Sequence, residues 1–168
     1  MGIKLFNNNN RNMRGQIFFD LLYLAFILIM LSVLGLVMYK VISDYRQNIT
    51  GELRAENVAM VKDYEDRLPE VLSGLFLFVL VGVSLIAIVS AFLINSHPIF
   101  YALIMVILAV LSYINAIYSN FWYDIATQTE LSSYAANLPI ITTIFSHFPL
   151  VMFVIGLIVG IVMVAKGD

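Results

Sequence analysis

The chain has 168 residues, of which 61% are hydrophobic and only 12% charged, against about 45–50% apolar and about 25% charged in an ordinary soluble domain. So few charges cannot cover the apolar surface of a water-surrounded fold of this size, and hydrocarbon is the expected solvent. The absence of cysteine excludes disulfides, thiol catalysis and cysteine-ligated metals, and a net charge of -2 gives no electrostatic basis for binding nucleic acid.

Residues 1–16 hold Lys4, Arg11 and Arg14 and no acid around the run Asn7 to Asn10, and are expected as a polar, solvated, basic tail. Residues 17–39 are apolar except for Asp20, and about 20 helical residues suffice to cross a hydrocarbon core of about 30 Å. This is the first transmembrane helix. No small-residue cleavage pattern follows it, which separates it from a secretory signal.

Residues 40–70 carry five basic and seven acidic side chains, so this segment meets water. Its apolar residues Ile42, Tyr45, Ile49 and Leu53, then Met60, Val61, Tyr64 and Leu68, recur at helical spacing. An extramembrane helical hairpin is predicted between spans one and two. Its turn is placed at Asn48-Ile49-Thr50-Gly51, with Thr50 capping the second piece and Asp63 paired with Arg67 one turn on. Pro69 is expected to open the second span, because a first helical turn tolerates proline.

Residues 71–94 and 99–118 contain no charge and are spans two and three. The short turn Asn95-Ser96-His97-Pro98 makes them antiparallel neighbours. Residues 119–148 form an aromatic and polar loop with an interfacial helix, in which Phe121, Trp122 and Tyr123 suggest a membrane-edge belt. The last run, Leu150 to Ala165, is short for a crossing, so span four is drawn over 144–165 with Pro149 as a tolerated kink. The predicted fold is therefore all-α, a multi-pass transmembrane helical bundle of four spans. Three spans plus a surface helix is the alternative.

Positive charge sets orientation weakly. Four basic residues lie on the side of the tail, the short turn and the C-terminus, and five lie on the side of the long loops. The purely basic tail favours both termini on the cytoplasmic or interior side.

Few groups could do chemistry. Asp20, His97, Asp124 and His147 are the candidate polar sites, and four spans put His97 on the membrane face opposite His147 and Asp124. That separation excludes a shared metal in one subunit. Catalytic, metal and cofactor residues are expected to be absent: no HExxH, phosphate-loop or GxSxG pattern occurs. Asp20 is a carboxyl within a span, which marks a functional candidate by default, but its closeness to the tail favours contact with interfacial water or Arg14. Asn115 is expected to hydrogen-bond a neighbouring helix. Gly156 and Gly160 have the G-x-x-x-G spacing that lets two helix backbones approach, within the monomer or across a subunit interface.

With no reactive constellation and no lysine, arginine, aspartate or glutamate in spans two to four, the expected role is non-catalytic. It is a structural or assembly subunit of a larger membrane-embedded complex, in a cellular membrane or the internal membrane of a virion. Its partners are the lipid bilayer and other membrane-protein subunits, as homo- or hetero-oligomer. The alternative is a pore-forming, holin-like or small transport protein, with an oligomeric pore lined by Ser84, Ser90, Ser112 and Asn115.

Overall fold

A chain with long apolar stretches must satisfy its backbone polar groups internally once it enters lipid, and helices do so one segment at a time. The computed structural model describes residues 9–49, 55–93 and 100–165, with the side chains of 16–48, 56–93 and 102–165, and these residues form helices without a strand. In chain order they are α1 (Asn9–Ile49), α2 (Ala55–Phe92), α3 (Phe100–Ala126), α4 (Ser132–Ala136), α5 (Pro139–Ser146) and α6 (Phe148–Ala165). Four of them, α1, α2, α3 and α6, are long and apolar enough to cross a membrane.

Several expected boundaries dissolve into continuous helix. α1 has 41 residues, about 60 Å at 1.5 Å each, twice the hydrocarbon thickness. It passes Tyr39-Lys40 unbroken because no glycine or proline stands there; the solvent changes at Lys40 but the backbone does not. At its other end, Asn9 to Gln16 is helical where a solvated tail was expected, an extension of the span that needs no new nucleus. The rest of the tail, residues 1–8, lies outside the described residues.

Pro69 likewise does not open a helix. It sits inside α2, where its missing N–H removes one backbone hydrogen bond without ending the rod. The hairpin is thus made from the projecting ends of α1 and α2. Its expected turn, with Thr50 and Gly51, and the second turn, with His97, lie outside the described residues.

The four long helices pack as a ring, α1 against α2, α2 against α6, α6 against α3, and α3 against α1. Leu21, Leu24, Leu28, Phe76, Leu108 and Val159 fill its interior, each almost wholly buried. Lipid tails are as apolar as these side chains, so close packing rather than exclusion of water holds the helices together. Glycine makes that packing possible at two seams. A Cβ on Gly156 would collide with Leu108, and one on Gly160 would stand 2.8 Å from Ile104, so α6 lies on α3 through both glycines. A Cβ on Gly35 would meet Leu72 at 2.9 Å, which brings α1 equally close to α2.

The chain between α3 and α6 is more helical than a loop. α3 runs through the aromatic belt to Ala126, and α4 and α5 follow as short helices. The last span begins after a break at His147, and Pro149 lies in the first turn of α6 rather than kinking a longer helix. Pro149 has no N–H for the carbonyl of Phe145, four residues earlier. The hydroxyl of Ser119 on α3 donates to that oxygen at 2.6 Å. Phe145 itself is fully buried, stacked on Trp122 at 5.1 Å and tilted against Phe148 at 4.8 Å and Phe76 at 5.6 Å. This aromatic cluster closes one end of the bundle.

Candidate functional site: a polar cap on the bundle

The ends of α1 and α2 and the α3–α6 connection emerge at the same end of the ring, and the polar residues that the long apolar segments lack are gathered there. On α1, Lys40 forms ion pairs with Asp44 at 3.2 Å and with Glu130 at 3.4 Å. Glu130 lies in the turn before α4, so this second pair joins the two water-facing segments. Tyr134 on α4 reinforces the join: its hydroxyl donates to Asp44 at 3.3 Å, and its ring meets that of Tyr39 edge-on at 5.3 Å. The amide of Asn137 donates to the Tyr39 hydroxyl at 3.1 Å.

Farther out, Arg46 of α1 and Glu65 of α2 form a close ion pair that locks the projecting hairpin, with the Glu65 side chain only 11% exposed. Asp63 and Arg67 pair at 3.0 Å, as their spacing predicts, on the exposed side of α2. Below the cap, a groove of about 580 Å³ opens between the end of α3 and helices α4 and α5, lined by Ser119, Trp122, Thr127, Ser132 and Thr143 among others. The Trp122 ring nitrogen is buried and has no hydrogen-bond partner among the described residues.

The candidate polar residues do not converge. Asp124 is exposed on the last turn of α3 and joins no ion pair among the described residues. His147 is exposed at the α5–α6 break, its Nδ1 lying 2.9 Å from the Ser146 hydroxyl and 3.1 Å from the Thr143 carbonyl, a local closure of α5. His97 lies outside the described residues. Asp20 is exposed on α1, twenty residues and about 30 Å of helix from Lys40. Asn115 is turned into the bundle, 1% exposed, and its Oδ1 accepts no hydrogen bond among the described residues. Among the described residues, no three His, Cys, Asp or Glu side chains gather as metal ligands would.

What sequence reasoning missed are the cap's members Tyr39, Tyr134 and Asn137. A tyrosine at the end of an apolar run, next to a lysine, is a membrane-edge signal. Nothing in the order of residues says that Tyr134, far along the chain, comes to meet it. Compared with known proteins, the chain matches no family model, no curated protein and no solved structure.

Proposed function

We propose that the protein is a non-catalytic structural subunit of a larger membrane assembly, cellular or viral. Four spans anchor it, both termini lie on the cytoplasmic or interior side, and partners recognise its cap. The cap carries this reading. Its ion pairs and hydrogen bonds turn two water-facing stretches into one ordered surface, whereas a mere linker between spans needs no such order. The projecting part of α2 adds apolar side chains among its charges, with Met60 59% and Tyr64 66% exposed. Apolar residues of this size on a charged helix in water suit contact with another protein.

A pore built from several copies needs polar residues on an outward face. Ser84 and Asn115 instead lie inside the bundle, and the Ser84 hydroxyl donates to the Leu80 carbonyl of its own helix. Outward positions hold Phe78, Leu85, Val106 and Val110. This arrangement favours an anchor over a channel.

Extraction in mild detergent tests the reading. Partner subunits in fixed stoichiometry, lost when Asp44 and Tyr134 are both replaced by alanine, are the expected result. A pure homo-oligomer that releases dye from liposomes would overturn it in favour of the pore.

A further inference from the structure

Asp20 stands deeper in the helical bundle than its place in the sequence suggests. The next residue, Leu21, is 1% exposed and lies beside Gly156, where a Cβ built on the glycine would be 3.8 Å from Leu21 Cδ1, while Leu108 fills the same gap from α3. Gly156 is nine residues from Ala165 at the end of α6, and Leu108 is eight from Phe100 at the start of α3. At 1.5 Å per residue, Asp20 is therefore about 12 Å inside the ends of both helices. Leu21 points into the bundle, so Asp20, one residue away, points out of it and is exposed. The aspartate stem is too short to reach the membrane surface from that depth, unlike the long stems of lysine and arginine.

A carboxylate facing lipid is costly near the membrane centre, so its retention calls for a covering partner. Spans two to four supply no such partner, since between Arg67 and Lys166 there is no lysine or arginine; Asp20 joins no ion pair among the described residues, and the side chain of Arg14 lies outside them. A second copy in the same orientation brings another Asp20 to the same depth, placing like charges together. The surroundings fit a cation instead. Phe19, Leu22, Tyr23, Phe26 and Tyr118 wall a shallow groove of about 490 Å³ around Asp20, and aromatic faces attract ammonium and guanidinium groups. Phe19 and Tyr23 are 72% and 64% exposed, so the walls are open to an incoming helix.

We propose that this face of α1 docks a partner's transmembrane helix that carries one lysine or arginine at the depth of Asp20. The proposal deepens the assembly reading and rests on it, but uses a surface remote from the cap.

Fluorescence transfer in phosphatidylcholine vesicles tests it. The labelled full-length protein is mixed with a labelled polyleucine helix that bears a single lysine eight residues from one end, or with the all-leucine helix. The lysine helix is expected to bind at least about tenfold more tightly. That advantage should vanish in Asp20→Asn and survive in Asp20→Glu. Equal binding of the two helices to the native protein would overturn the proposal. So would transfer between differently labelled copies of the protein that Asp20→Asn abolishes, since a second copy would then cover the face. Loss of cap-dependent partners, with peptide binding intact, would instead count against the assembly reading alone.

Discussion

Lys40 and Asp20 lie on the same helix and the same chain treats them in opposite ways. Lys40, at the edge of the bundle, is held by Asp44 and reaches Glu130 across ninety residues of sequence. Asp20, within the span, is exposed among aromatic side chains and joins no ion pair among the described residues. Where water is near, the chain brings its own counter-charges together; where lipid is the solvent, its neighbouring helices contain none. The difference separates a charge paired within the chain from one for which we propose a partner.

The largest expected effect bears on the frame that holds both charges in place. Gly156→Leu forces a side chain into the space of Leu108 and separates α6 from α3, costing about 3 kcal/mol of bundle stability. Denaturation in mixed micelles measures this, and an unchanged transition would mean that the two helices do not meet at that glycine. Next comes Asp20→Leu, of opposite sign. It should favour insertion of the α1 span by about 2.5 kcal/mol, read from the inserted fraction of that segment in a glycosylation-mapping assay. No gain would place Asp20 in water and erase the contrast with Lys40.

Glu65→Gln removes the charge of the largely buried Glu65 carboxylate from its pair with Arg46 and should cost about 1–2 kcal/mol. Hydrogen exchange confined to the outer ends of α1 and α2 would register the loss; slow exchange there in the variant would show that the hairpin stands without the pair. Smallest is the effect of Lys40→Ala, since its partners remain partly in water. Its signature is faster exchange in α4 with the spans unaffected, and a global loss of protection would contradict the local role given to the cap.

The fold was legible because it follows from solvent. Uncharged runs at 71–94, 99–118 and 150–165 have one stable answer in hydrocarbon, and the Asp63–Arg67 pair follows from helical spacing alone. Helix ends were not legible. The sequence changes polarity at Tyr39-Lys40 and at Pro69, but a helix ends where its hydrogen bonds end, and both α1 and α2 run on through those points. Conversely, the last span begins afresh at Phe148, with Ser119 satisfying the carbonyl that Pro149 leaves without a donor.

By itself, then, the amino-acid order determines that this chain is a helical membrane protein, how many segments are apolar enough to cross, and where charge must stay wet. Tertiary structure alone decided that Gly156 and Gly160 face α3, that Tyr134 and Glu130 close over Tyr39 and Lys40, and that Asp20 is level with the inner part of two other spans. Solvent preference is a property of each segment and can be read along the chain. Depth, pairing and facing are relations between segments, set by which helices fit closely enough to pack.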